Sequence, residues 1–193
     1  MNPHFTCNDL TIRYAQLNDL PDIIAMLGKE EVCRGMFFGP NTEQETRDYF
    51  EQPFSEVEAA LAKDELPEKH FFTVLNEGGE FVGQCALLPA DFAPGRFLIG
   101  YQLDQPHWRR GYGTLVCEFL IGYAFGKLGA VRLSGDCMSN NVGSKRVMER
   151  CNFSPEGVRL RYWCKNGEEL DQLNFGLLAE NVDAELLTKW SAK

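Results

Sequence analysis

The residues best suited to chemistry lie together at Arg109-Arg110-Gly111-Tyr112-Gly113-Thr114. An apolar run ending at Leu103 precedes them, and Leu115, Val116, Phe119, Leu120, Tyr123, Ala124 and Leu128 recur at helical spacing after them. A turn of this kind points successive backbone N–H groups and a helix N-terminus at one place, which makes an anion site. The two glycines permit a tight turn and close backbone approach, and Arg109 and Arg110 add positive charge. The helix dipole contributes about 0.3 to 1 kcal/mol toward a bound anion, up to roughly 2 kcal/mol when partly buried. A pyrophosphate suits such a turn, and the plain alternative is a solvated basic edge. The dinucleotide fingerprint fails because Val116 stands where its third glycine belongs, and no Gly-Lys-Ser/Thr closes a Walker loop.

Other reactive side chains are sparse. The seven cysteines, at 7, 33, 85, 117, 137, 151 and 164, include no C-x-x-C pair and read as reduced core thiols; a nucleophilic Cys137 or Cys151 is the alternative. Three histidines without ligand spacing imply no metal. The net charge of −9 disfavours nucleic acid, since phosphate contacts need clustered Lys and Arg, and it suits a cationic partner such as a protonated amine. No apolar run reaches membrane-spanning length and the first residues lack a leader pattern, so the expected location is the cytoplasm, with no membrane partner.

The elements that must position the turn follow from periodicity. Leu10 to Leu17 alternates as a strand, Asn18-Asp19 before Pro21 starts a helix to about Val32, and Thr42 to about Ala62 reads as an acidic helix interrupted by Pro53. Between the helices, Gly35-Met36-Phe37-Phe38-Gly39-Pro40 is an aromatic loop, and composition alone favours a buried plug over a binding wall. Strands are expected at Phe71 to Asn76, Phe81 to Leu88, Arg96 to Leu103, Val131 to Cys137, Gly157 to Cys164 and Leu170 to Leu177, with a short helix from Gly143 to Cys151 and a final one from Asp183 to Trp190. The composition suits one domain over 1–193, with an N-terminal tail at 1–9 and a C-terminal extension at 179–193.

The turn at Arg109 to Thr114 resembles the acetyl-CoA pyrophosphate loop, Q/R-x-x-G-x-G/A, of the GNAT superfamily of N-acetyltransferases. Trp108 takes the Q/R position, as in the branch that acetylates ribosomal-protein N-termini. Downstream, Asn141-Val142-Gly143-Ser144 and Val147 to Phe153, followed by Glu156-Gly157, resemble that branch's N-x-x-S and V-L-E-K-x-G-F…E-G segments, with Asn152 in place of the usual glycine. The resemblance implies an α/β fold: a twisted mixed sheet of six or seven strands, helices on both faces, splayed between the strand ending at Leu103 and the one at Val131 to Cys137. It implies direct acetyl transfer from acetyl-CoA to a primary amine, in a monomer or homodimer. A CoA-binding sensor without catalysis and a non-enzymatic partner-binding protein are the rival readings.

Roles follow from the resemblance. The backbone of Leu103 would pair with the pantetheine arm. Trp108, Arg109, Arg110, Gly111, Tyr112, Gly113 and Thr114 would hold the pyrophosphate, although core packing is an equal reading for Trp108 and Tyr112. Asn141 would hydrogen-bond the pantetheine. Ser144 would lie near the thioester sulfur as candidate proton donor, because Met148 occupies the place where many relatives carry a Tyr; a plain helix-start serine is the alternative. The glutamate base of some relatives falls near Trp163, which accepts no proton, so Glu30, Glu31, Asp104, His107 and Asp136 stay open as the base.

Overall fold

Phe71 and Phe72 are neighbours in one strand, so their side chains point to opposite faces of the sheet. Phe71 meets Phe50 and Phe54 of a helix on one face, with ring centroids 6.0 and 5.7 Å away, and Phe72 meets Phe119 and Tyr123 on the other at 5.0 and 5.2 Å. The core is therefore two layers divided by a sheet. The structure, a computed structural model, describes residues 2–189 and 191–192.

In chain order the strands are β1 (His4–Cys7), β2 (Leu10–Tyr14), β3 (His70–Asn76), β4 (Phe81–Pro89), β5 (Arg96–Leu103), β6 (Arg132–Met138), β7 (Ser154–Lys165), β8 (Glu168–Leu178) and β9 (Ser191–Ala192). They form one mixed sheet in the order β7-β8-β6-β5-β4-β3-β2-β1-β9. The expected six or seven strands are thus exceeded at one edge. There β1 turns back through Asn8, whose φ is 52°, and the two residues of β9 pair with it. Four residues with one buried apolar side chain, Phe5, give β1 almost no alternation to read.

The helices are α1 (Leu20–Leu27), α2 (Glu30–Cys33), α3 (Glu43–Ala62), α4 (Tyr112–Gly122), α5 (Val142–Arg150) and α6 (Ala184–Lys189). A π turn at Tyr123–Lys127 prolongs α4. The expected helix from Pro21 to Val32 is two helices, because the chain leaves the helical path at Gly28 and Lys29. Pro53 does not break α3. The Thr42 cap, reciprocated by Glu45, and the buried face Phe50, Phe54, Val57 hold the helix across the hydrogen bond that Pro53 lacks. The final helix appears as α6; Trp190 lies outside the described residues. Among the described residues no helix is long and apolar enough to cross a membrane.

Every neighbouring pair of strands is antiparallel except β5 and β6. These two run parallel and pair only at Arg96↔Arg132, Phe97↔Leu133 and Leu98↔Ser134. Beyond that point β5 continues to Leu103 and β6 to Met138 without pairing, so the sheet opens in a wedge. Gly135 has no side chain because Met148 of α5 occupies its place; a Cβ there would sit 2.5 Å from the Met148 methyl.

Candidate active site

Three structures meet at the wedge: the loop after β5, the start of α5, and a cavity on the α3 side of the sheet. In the loop, Asp104 caps the turn Gln105–His107 through Gln105 N at 2.8 Å and takes the Lys29 ammonium at 2.6 and 2.8 Å. The Trp108 indole N–H donates to the Leu103 carbonyl at 2.7 Å, folding the ring back onto the end of β5. Arg109 and Gly111 then both adopt left-handed backbone, with φ of 61° and 83°, on either side of Arg110. Alternating conformations of this kind gather successive N–H groups into a concave anion nest. The first helical bonds of α4 are donated by Thr114 and Leu115 to the Gly111 carbonyl, at 3.0 and 3.2 Å. The N–H groups of Gly111, Tyr112 and Gly113 therefore precede the helical ladder. Both arginine side chains are exposed beside them. A nest, an unladdered helix start and two exposed guanidinium groups, that of Arg110 also interacting with the Tyr112 hydroxyl, fit a pyrophosphate.

Gly113 serves a different contact: a Cβ there would come within 3.1 Å of the Val147 side chain, so α4 and α5 approach closely at this turn. The Tyr112 ring is buried and its hydroxyl bonds the Asp9 carboxylate in the β1–β2 turn. That partner raises the phenol's pKa, against a smaller lowering by Arg110 of the loop, which also interacts with the hydroxyl. Of the two aromatic residues, Tyr112 is thus a packing residue that offers its backbone, and Trp108 a brace on β5.

At the start of α5, Asn141 Oδ1 caps the helix by accepting Ser144 N at 3.0 Å, and Asn141 Nδ2 donates to the Gly35 carbonyl at 2.8 Å. The side chain expected to bond the pantetheine is therefore engaged at both ends, and it ties α5 to the aromatic loop. Ser144 Oγ lies 3.1 Å from Tyr101 Oη. Tyr101 is half-buried, and desolvation raises its pKa well above the ordinary phenol value, so it remains protonated. Its role was not read from the sequence. The usable signal was strand alternation, which sets Ile99, Tyr101 and Leu103 on one face of β5. Asn152, with φ of 62°, ends α5 left-handed while Phe153 N reaches back to the Met148 carbonyl at 3.0 Å.

The cavity measures about 470 Å³ and reaches from Ser144, Met148 and Tyr101 to the α3 side, where Phe38, Tyr49, Phe50 and Phe71 line it. The aromatic loop is thus a wall of this cavity rather than a plug. Its Phe37 stacks on Trp163 of β7 at 4.4 Å, nearly parallel. The Lys165 ammonium donates to the carbonyls of Cys33, Met36 and Phe38 at 2.7, 2.8 and 2.8 Å, which fixes the loop's path.

Of the carboxylates considered as base, Asp136 lines the cavity, with Oδ2 accepting Gln172 Nε2 at 2.6 Å. Asp104 is committed to Lys29, and Glu30 lines a separate surface depression with Lys165. The Cys137 thiol also faces the cavity, but burial, with Asp136 adding to it, pushes its pKa up to about 11. It is no ready nucleophile.

Residues 9–154 match the family model described as the acetyltransferase (GNAT) domain. An uncharacterized N-acetyltransferase of Bacillus licheniformis is 27% identical over 170 residues, covering 88% of this chain and 92% of that protein. Spermidine N-acetyltransferase from Vibrio cholerae, solved with CoA and spermine, superposes with a TM-score of 0.75 at 16% identity, over 90% of this chain and 97% of that one. RimL, a ribosomal alpha-N-protein acetyltransferase solved with coenzyme A, gives a TM-score of 0.76 at 17% identity, over 92% and 97%.

Proposed function

Because the chain belongs to the GNAT acetyltransferase family, we propose that it moves the acetyl group of acetyl-CoA to a primary amine by direct transfer while both are bound. The parting of β5 and β6 carries this reading: the strands pair only as far as Leu98 and Ser134, and the aromatic cavity is lined by the residues of both that follow.

The nest at Arg109 to Gly111 and the start of α4 would hold the pyrophosphate, and the unpaired stretch of β5 offers backbone groups to the arm that follows it. Acetyl-CoA supplies a thioester carbonyl for attack and a thiol as leaving group. An alkylammonium must first lose a proton, at a cost of about 4 to 5 kcal/mol at neutral pH unless a base assists. Asp136, which lines the cavity, would take that proton and pass it to solvent. Nitrogen then bonds to the acetyl carbon, the carbon–sulfur bond breaks, and the second proton shed by nitrogen ends on sulfur. Ser144 donates a hydrogen bond to the departing sulfur. Tyr101, kept protonated, lies 3.1 Å from Ser144 Oγ, and with the phenol as donor the serine's own hydrogen would serve that task.

The test is calorimetric titration with acetyl-CoA, beside a variant with Arg109 and Arg110 both changed to Ala. The expected result is micromolar binding that the variant weakens at least tenfold, about 1.4 kcal/mol, with thiol release when amines are added. Binding without thiol release over a broad amine panel would mark a CoA sensor, and no binding would end the reading.

A further inference from the structure

We infer that the amine taken by this site carries an aromatic or branched apolar body, its nitrogen received by Gln84 and Asp136 and its body by the aromatic wall. The inference rests on the acetyl-transfer reading above and concerns the acceptor half of the same site.

Gln84 of β4 sits directly across from Gln102 of β5, and its Nε2 donates to Gln102 Oε1. Gln84 is 5% exposed, yet its Oε1 has no hydrogen-bond partner and the residue lines the cavity. A buried carbonyl oxygen left unpartnered costs free energy that a ligand N–H recovers. Asp136 lines the same cavity, and strand alternation puts it on the same face of β6 as Ser134, the residue that pairs with Leu98. A Cβ at Gly100, which also lines the cavity, would meet nothing within 4 Å, so the space beside it is open. Gln172 holds Oδ2 of Asp136 and is in turn met by Arg159 Nη1 at 3.2 Å, which orients the carboxylate from the far side.

The charges decide the class of head group. Two carboxylates, Glu45 and Asp136, line the cavity among the described residues, and no lysine or arginine does. A cation is favoured there and an anion is not. Glu45 already receives the Thr42 N–H and hydroxyl at 2.7 and 2.8 Å as the cap of α3. Each carboxylate keeps its charge and one oxygen that these bonds leave open, Glu45 Oε1 at the start of α3 and Asp136 Oδ1 on β6. Phe37, Phe38, Tyr49, Phe50, Phe71 and Leu98 form the remaining wall, which rewards an apolar body.

The full chain, saturated with CoA, is titrated calorimetrically with 2-phenylethylamine, ethylamine, 2-phenylethanol and spermidine. Phenylethylamine should bind at least tenfold more tightly than each of the others, since ethylamine and spermidine lack the aromatic body and phenylethanol the charge. Gln84→Met and Asp136→Asn should each weaken phenylethylamine at least fivefold while leaving phenylethanol within twofold. Tighter binding of spermidine, equal binding of the alcohol and the amine, or no amine binding by CoA-loaded protein overturns the inference, and these comparisons need no variant. Acetyl-CoA binding measured on the same sample separates the two failures: lost cofactor binding removes the transfer reading itself, and intact binding with the wrong amine order removes only this inference.

Discussion

Ser144 is held from two sides, by the Asn141 cap on its N–H and by the Tyr101 phenol on its hydroxyl. A hydrogen bond to a developing thiolate is worth about 1.5 to 3 kcal/mol, because one partner is charged. Ser144→Ala should therefore lower kcat roughly 10- to 100-fold with acetyl-CoA affinity unchanged within threefold. Tyr101→Phe removes only the orienting bond and should cost less than Ser144→Ala. Single-turnover thiol release beside calorimetry reads both; an unchanged kcat in Ser144→Ala would return that serine to an ordinary helix start. The Asn-x-x-Ser spacing made Asn141 and Ser144 legible in the sequence, because both belong to one helix turn. Tyr101 and Gln84 were not legible, since their roles arise from strands that meet across the sheet. Nor does spacing reveal that both ends of the Asn141 side chain are already bonded within the protein.

Among the elements, those with strong periodicity were read well: β3 to β6, the hairpin of β7 and β8, α4 and α5 lie close to their expected places. The reading failed where tertiary contacts decide the local path. Phe37 and Phe38 look like a plug by composition. Only the fold brings Lys165, more than a hundred residues later in the chain, to three carbonyls of that loop and Trp163 to the Phe37 ring. Lys165 thus fixes a wall of the aromatic cavity by charge-assisted hydrogen bonds. Lys165→Met should free the loop and lower stability by about 1 to 3 kcal/mol. It should also raise the KM for the amine several-fold while acetyl-CoA binding holds. Hydrogen exchange over residues 33–40, with steady-state kinetics, reads this; faster exchange with an unchanged KM would separate the loop from the acceptor site.

At the scale of the whole molecule, the two faces of the sheet carry different loads. The wedge between β5 and β6 forfeits strand pairing to make a site, and the opposite half of the sheet compensates with a dense aromatic core. That core contains a buried polar chain: Tyr14 Oη of β2 lies 2.8 Å from His70 Nδ1 of β3 and 2.6 Å from Tyr123 Oη in the π turn after α4. The chain is continuous, and its direction follows the His70 tautomer. Burial lowers the His70 pKa from 6.5 to about 4. Between those values the unfolded chain binds a proton that the folded one does not, so this residue's contribution is complete above about pH 6.5 and is lost as pH falls toward 4. Stability should decline by up to about 1.4 kcal/mol per pH unit across that window. Asp19 acts lower on the scale. Burial would raise its pKa, but hydrogen bonds from Arg13 and Thr73 bring it below the usual 3.8, so its loss begins after that of His70. Urea unfolding at pH 7, 6 and 5 should show the decline in the unaltered protein and a flatter profile in His70→Asn, which carries no proton in this range. An equal slope in both would place the acid sensitivity outside this core.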